Sequence, residues 1–179
     1  MIPASIETAS LTLRPVTADD ARFVVPLHTD ASVMALLRDG VQTPEQALAE
    51  LDRYAATWRD HGIGMWLLFE RSTGAFTGES GVIDRRADHG AFAIRLAMHR
   101  AHWGRGYTSE ALPPILDDLF ARAGLDEVKA IAKRVNVASG RALRRAGLVV
   151  ERAWDKDGVA LERFALRRED WRGRMSGAA

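Results

Sequence analysis

The fold is decided by a stretch at residues 98–111, which reads MHRAHWGRGYTSEA. Just before it, residues 91–98 alternate in the manner of a β-strand. One face of that strand would carry Phe92, Ile94, Leu96 and Met98, and the other Ala91, Ala93, Arg95 and Ala97. After the stretch, apolar residues recur at helical spacing from Leu112 to Ala123, and Gly124 is a suitable stop. We therefore predict a strand, a glycine turn and a long helix in succession.

The turn contains two glycines, Gly104 and Gly106, at the predicted helix start. A helix start has unpaired backbone N–H groups and a partial positive charge, and glycines let a phosphate approach them closely. A Gly-x-Gly pair alone is more often a plain tight turn. No Gly-Lys-Ser/Thr follows as in a P-loop, and Ser109 replaces the third glycine of a dinucleotide fingerprint. The remaining functional interpretation is a phosphate-bearing cofactor held mainly by backbone.

The composition limits the class of protein. The chain has 179 residues, 47% of them hydrophobic, with 25 basic against 24 acidic residues and no cysteine. We expect a single domain over 1–179, with a core at about 10–170 and a frayed tail at 175–179. The charge balance argues against nucleic acid as a partner, and no apolar run is long enough to span a bilayer. A cytoplasmic protein without disulfides, cysteine nucleophiles or cysteine metal sites is expected.

The remaining periodicity predicts the other elements. Strands are expected at residues 10–15, 65–70, 75–84, 128–135, 148–154 and 159–166. Helices are expected at residues 17–29, 43–61 and 136–146. The helix at Thr43 has the clearest start, because threonine at the cap precedes Pro44 and is followed three residues later by Gln46.

A second motif, NVASGRALRRAGL at residues 136–148, follows WGRGYTSEA at 103–111. Together they resemble the Gcn5-related N-acetyltransferase (GNAT) superfamily, in particular its ribosomal-protein N-alpha-acetyltransferase-like (RimJ/RimL-type) branch. The resemblance covers residues 10–170. It implies an α/β (α+β) fold with a mixed, mostly antiparallel sheet of about seven strands and helices on both faces. It also implies an N-acetyltransferase that moves an acetyl group from acetyl-CoA to a primary amine by direct attack.

The resemblance assigns a role to each motif residue. Backbone groups of Met98 and Arg100 would bond the pantetheine arm, and Asn136 would bond it with its side chain. The pyrophosphate would receive N–H groups from Gly104, Arg105, Gly106, Tyr107 and Thr108. Ser139 would lie near the thioester sulfur as a proton donor for the leaving thiolate.

Several of these residues have structural alternatives. Asn136 and Ser139 are also suitable caps for the following helix. Trp103 and Tyr107 are more typical of packing residues. The arginines at positions 105, 141, 144 and 145 would either contact the 3′-phosphate of the cofactor or form a solvated surface.

One position departs from the family pattern. Many relatives have Glu-Ile-Gly-Tyr where this chain has Ala93-Ile94-Arg95-Leu96, so the usual carboxylate near the acceptor amine is absent. The candidates that remain for a catalytic base are Glu79, Asp84 and His99. Glu79 and Asp84 are an odd number of residues apart on one strand, so their side chains would face opposite sides of it.

Arg95 would lie among small residues and is a candidate anchor for a carboxylate on the substrate, or a solvated or cofactor-paired arginine. The missing glutamate also leaves a second hypothesis, a module that binds acetyl-CoA without catalysis. We expect no metal, and a monomer or homodimer whose partners are acetyl-CoA and an amine.

Overall fold

A computed structural model describes residues 5–171 of the chain, except for the side chains of Asp88 and His89. Its centre is one eight-stranded sheet in the order β1-β2-β3-β4-β5-β6-β8-β7. The strands are β1 (Ile6–Glu7), β2 (Leu11–Pro15), β3 (Met65–Glu70), β4 (Phe76–Arg85), β5 (Ala91–Met98), β6 (Glu127–Lys133), β7 (Val149–Lys156) and β8 (Val159–Arg167). Neighbouring strands are antiparallel except β5 and β6, which are parallel.

Helices pack on both faces of this sheet. They are α1 (Ala21–Thr29), α2 (Ala31–Met34), α3 (Pro44–His61), α4 (Arg86–His89), α5 (Tyr107–Asp117) and α6 (Val137–Arg145). A short 3₁₀ turn, Arg100–His102, precedes α5, and a π-helical turn, Asp118–Arg122, extends it. The predicted fold class is therefore confirmed, with eight strands where about seven were expected.

The differences from the predicted elements are local. The two-residue strand β1 was not expected, and α2 occupies part of a predicted loop. Helix α1 begins at Ala21 rather than near Thr17, because the Asp20 carboxylate accepts the Thr17 N–H at 2.7 Å in a preceding turn. The start of α3 is as predicted, with a complete capping box between Thr43 and Gln46. The expected fraying at 175–179 lies outside the described residues.

The core has separate parts on the two faces of the sheet. On one face, α5 packs its apolar side against alternate residues of the central strands, including Trp66 and Leu68. On the other face, α1 and α3 pack against Met65 and Leu67 of the same strand. Because successive side chains of a strand point to opposite faces, β3 is buried on both sides.

The parallel pair β5–β6 is open at one end. The two strands pair only at Ala93–Lys129 and Ile94–Ala130, although β5 continues to Met98. The His99 N–H bonds the Thr77 carbonyl on the β4 side. Since backbone groups alternate in direction along a strand, Leu96 and Met98 direct theirs into the gap beside β6. The gap therefore offers an extended ligand a strand edge with which no neighbouring strand pairs.

Candidate active site

The glycine turn lies at the end of this gap. Gly104 and Gly106 have φ values of +77° and +80°, in the left-handed region that favours glycine. A Cβ at either position would meet no atom within 4 Å, so both face open space. Gly106 is the N-cap of α5 and gives no side-chain cap. The first N–H groups of α5 therefore have no intrahelical or capping partner, which suits a pyrophosphate.

Two glutamates hold the turn in place. The Glu70 carboxylate accepts hydrogen bonds from the Tyr107 hydroxyl and, at 2.9 Å, from Arg105 Nη1. The Glu110 carboxylate accepts the Ser10 N–H at 2.6 Å, and burial of Glu110, which alone would raise its pKa, is outweighed by such bonds, so its pKa is lowered. Hydrogen bonds thus tie the turn to β3 and the first turn of α5 to the segment before β2.

A cavity of about 350 Å³ extends from the turn along the open edge of β5. Its lining includes five of the predicted cofactor residues, Met98, Gly104, Thr108, Asn136 and Ser139. The Met98 carbonyl accepts the Trp103 indole N–H at 2.8 Å, and Trp103 is an exposed residue of the cavity lining rather than a core packing residue. The cavity therefore connects the glycine turn to Ser139.

Asn136 has a structural role that was foreseen as an alternative. Its Oδ1 accepts the Ser139 N–H at 3.1 Å and so caps α6. Its Nδ2 also donates to the Leu36 carbonyl at 3.4 Å. Leu36 belongs to residues 35–43, the α2–α3 segment, which closes the cavity from above and is also held by Lys133 through the Ala35 carbonyl. Asn136 therefore joins α6 to the α2–α3 segment at the mouth of the cavity.

The remaining predicted cofactor residues do not line this cavity. Arg100 is exposed, with its guanidinium 5.7 Å from the Trp103 ring, and Tyr107 is buried under Glu70. Gly106 and Arg105 lie at the turn itself, where only their backbone N–H groups would face a pyrophosphate. Of the arginines on α6, Arg144 bonds Glu162 at 2.9 Å.

Beneath the α2–α3 segment is a buried cluster of charges. The Glu79 carboxylate on β4 accepts His28 Nε2 at 2.8 Å and the Tyr54 hydroxyl at 3.1 Å, and all three side chains are buried. Burial would raise the pKa of Glu79, but the nearby charges of His28 and Arg95 lower it. Burial would lower the pKa of His28, but Glu79 raises it. Both shifts favour an ionised pair.

Arg95 belongs to the same cluster, and its ionic partners come from the chain itself. Its Nη1 donates to Asp39 at 2.6 Å, and its guanidinium lies 3.5 Å from Glu79 and 3.9 Å from Glu50. Its side chain is 5% exposed. The small-residue face predicted for Arg95 is therefore filled by carboxylates from α3, β4 and the α2–α3 segment.

The candidate bases lie away from the Ser139 end of the cavity. Glu79 lines neither this cavity nor the smaller one described below. Asp84 lies on the opposite face, as its parity predicts, since no register shift occurs between β4 and β5. Hydrogen bonds from Arg86 lower the pKa of Asp84 to about 2. Burial lowers the pKa of His99, whose ring contacts Phe76.

The sequence did not single out His28, Asp39 and Glu50 as site residues, nor Tyr54 as a partner of Glu79. The one available signal was Glu79 itself, a carboxylate in the middle of an apolar strand, which requires buried partners. Those partners lie 25 and 51 residues away in the chain. Within residues 5–171, no group of three or more His, Asp or Glu side chains is placed to hold a metal ion. None of the helices in the same range is long and apolar enough to cross a membrane.

Comparison with known proteins places these features in a family. The family model for the acetyltransferase (GNAT) domain matches residues 10–149. A GnaT-family acetyltransferase from Bordetella pertussis superimposes with a TM-score of 0.79 at 24% identity, over 91% of this chain and 99% of that one. The ribosomal-protein-S5-alanine acetyltransferase of Vibrio fischeri gives 0.77 at 15% identity, over 94% and 99% of the two chains. Spermidine N-acetyltransferase of Vibrio cholerae, solved with CoA and spermine, gives 0.74 at 17% identity, over 91% and 98%.

Proposed function

Because the chain belongs to the GNAT acetyltransferase family, we propose that it transfers an acetyl group from acetyl-CoA to a primary amine by direct attack. We further propose that it falls in the ribosomal-protein N-alpha-acetyltransferase-like branch, whose two motifs it contains. The main support is the cavity that runs from the glycine turn along the open edge of β5 to Ser139. This cavity, called the slot below, has a strand edge along it and unpaired N–H donors at one end, which suits a long ligand with a pyrophosphate.

Different residues of the slot would bind different parts of acetyl-CoA. The N–H groups from Gly104 to Thr108 would bind the pyrophosphate, while backbone groups of Leu96 and Met98 would extend the sheet onto the pantetheine arm. Asn136 is already engaged by Ser139 and Leu36, so any bond that it makes to the arm would come in addition to its capping role.

Bound acetyl-CoA supplies the acetyl group as a thioester: a nitrogen–carbon bond replaces the carbon–sulfur bond, and the proton lost by nitrogen balances the one gained by sulfur. Ser139 lines the slot, and its hydroxyl would provide a proton to sulfur. No side chain needs to form a covalent bond with the acetyl group.

A test of this mechanism is the variant Ser139→Ala. The thiolate charge develops only in the transition state, so we expect kcat to fall about a hundredfold while the acetyl-CoA dissociation constant changes little. Thiol release would give kcat, and calorimetry would give the affinity. Ser109→Ala, in the first turn of α5 and outside both cavity linings, is the matched control. An affinity that falls in step with kcat would indicate a binding role for Ser139 instead.

A second candidate function is a module that binds acetyl-CoA without catalysis. It is favoured by the alanine at position 93 and by the positions of Glu79 and Asp84, which line neither cavity at Ser139. Calorimetry with acetyl-CoA and thiol release over a broad amine panel separate the two functions. Tight binding with no thiol release from any amine would reject the enzyme and support the module.

A further inference from the structure

A smaller cavity of about 60 Å³ adjoins the slot at its Ser139 end. The two cavities share Leu37, Leu96 and Ser139 as lining residues. The smaller one continues across the β5–β6 junction beneath the α2–α3 segment, to Asp39 and Arg95. If acetyl-CoA binds as proposed above, its thioester lies where the cavities meet. The smaller cavity is then the place from which an amine reaches it.

The walls of this cavity have an unusual charge balance. Among its described lining residues, Asp39 is the one carboxylate, against the three guanidinium groups of Arg38, Arg85 and Arg95. Burial would raise the pKa of Asp39, but the charges of Arg95, Arg85 and Arg38 lower it. Asp39 is therefore ionised at neutral pH, 2.6 Å from Arg95 and 3.4 Å from Arg85. The lining therefore places three guanidinium groups around one carboxylate.

Arg95 has hydrogen-bonding capacity that its carboxylate neighbours do not use. Its Nε and Nη2 atoms are buried and make no hydrogen bond, although the residue as a whole is 7% exposed. Glu79 lies 3.5 Å from Nε, beyond a well-formed bond to that atom. A buried guanidinium with open donors is costly unless an acceptor is supplied. An oxygen-rich anion in the cavity would supply it.

We propose that this cavity binds a small primary amine that also carries an acidic group, such as a carboxylate or phosphonate. Arg38, Arg85 and Arg95 hold the acidic end, and the amine, which must be neutral to attack, lies toward Ser139, where the two cavities meet. The inference rests on the proposed acetyl transfer and specifies its acceptor. The volume is enough for about four to six water-sized groups, which limits the part of the acceptor that enters.

The same walls disfavour a polycation. An acceptor with several ammonium groups and no acid would place its second charge against the three arginines. Like charges at close range in a partly buried site repel strongly, and this repulsion provides selection against the wrong substrate. A polyamine such as spermidine is therefore expected to be a poor acceptor for this protein.

The experiment compares matched amines with the full-length protein and acetyl-CoA. L-alanine and alaninamide differ only in the acidic group, and the amine of alaninamide is the easier one to deprotonate, so chemical reactivity works against the expected result. We expect kcat/KM for alanine to exceed that for alaninamide and for spermidine by about tenfold or more. Aminomethylphosphonate should also be accepted.

Two variants assign the preference to the arginine wall. Arg85→Gln should reduce kcat/KM for alanine about tenfold and change that for alaninamide less than twofold. Arg38→Gln changes an exposed residue and so gives the same comparison with little risk to folding. Arg167→Gln, at the far end of β8, is the control arginine and should leave both substrates unchanged.

Binding is measured separately from activity. Calorimetry of alanine and alaninamide against the protein saturated with CoA tests the cavity even if no thiol is released. Tighter binding of alanine, lost in Arg85→Gln, supports the acceptor class, and absence of turnover would then count against the proposed function alone. Equal or stronger use and binding of alaninamide or spermidine would overturn the acceptor class and leave the acetyl transfer intact.

Discussion

The two sides of β5 differ in the groups on which they depend, backbone on one side and charged side chains on the other. On the β6 side, the strand edge at Leu96 and Met98 and the glycine turn present backbone groups to the slot. On the face below the α2–α3 segment, the structure depends on side-chain charges that converge from α1, α3, β4 and β5. A backbone site tolerates most side-chain changes and depends on a few conformations. A side-chain cluster depends on every member, because each buried charge needs the others.

The largest expected effect is on the charge cluster. Glu79→Ala removes the carboxylate that His28, Tyr54 and Arg95 share and leaves buried charges unpaired. We expect the free energy of unfolding to fall by about 3–5 kcal/mol. Urea denaturation would measure it.

A surface pair provides the control for this loss. Glu151→Ala removes the partner of Arg163 on the exposed strand β7 and should cost less than about 1 kcal/mol. Similar losses in the two variants would show that the Glu79 cluster contributes no more than a surface ion pair, and the contrast between the two sides of β5 would disappear.

The second effect concerns the backbone side. Gly106→Asp places a side chain at φ +80° and a negative charge where the pyrophosphate is expected. We expect acetyl-CoA affinity to fall tenfold or more, since a like charge at about 4 Å costs about 1–4 kcal/mol. Calorimetry would measure the affinity.

The β7–β8 turn offers a matched control for Gly106. Gly158 has φ +77° and faces equally open space. Gly158→Asp should therefore introduce the same backbone strain as Gly106→Asp but leave the acetyl-CoA affinity unchanged. If both variants bind acetyl-CoA like the parent protein, the glycine turn does not hold the pyrophosphate.

The smallest effect is a pH dependence of stability. Folding raises the pKa of His28 above 6.5. Its contribution to the free energy of unfolding is therefore complete below pH 6.5 and is lost as the pH rises through the pKa of the folded state. The pKa of Glu79 is lowered from 4.5, so its contribution is complete above pH 4.5 and is lost as pH falls through its folded value. For either group, each tenfold change in proton affinity between the unfolded and folded states changes the free energy of unfolding by about 1.4 kcal/mol.

His28→Gln isolates the upper limb of this dependence. The parent protein should lose stability between pH 6.5 and alkaline pH. The variant should be less stable, and its free energy of unfolding should stay constant over that range. Urea unfolding at a series of pH values would measure both curves. Parallel curves would mean that His28 is neutral in the folded protein.

The contrast also explains what the sequence could predict. The slot has local signals, because Gly104, Gly106 and the cap at Asn136 are required by backbone geometry at those positions. The strands and the capped helix at Thr43 were predictable for the same reason, since periodicity and caps are local.

The charge cluster could not be predicted in this way. Asp39 lies in a segment without periodicity, and His28 is one of three polar residues in α1, beside Arg22 and Thr29. Their proximity to Arg95 follows only from the packing of α1 and the α2–α3 segment onto β4 and β5. The sequence therefore identified Arg95 as unusual, but it could not identify the carboxylates that surround it.

The short pairing of β5 with β6 has a consequence for the lifetime of the protein. Strands β1–β5 and β6–β8 are joined in the sheet by two residue pairs, and a ligand in the gap would bridge the two halves. A ligand that binds only the folded state adds about 2.7 kcal/mol of stability at a hundred times its dissociation constant. Resistance to proteolysis would then rise and fall with the acetyl-CoA concentration.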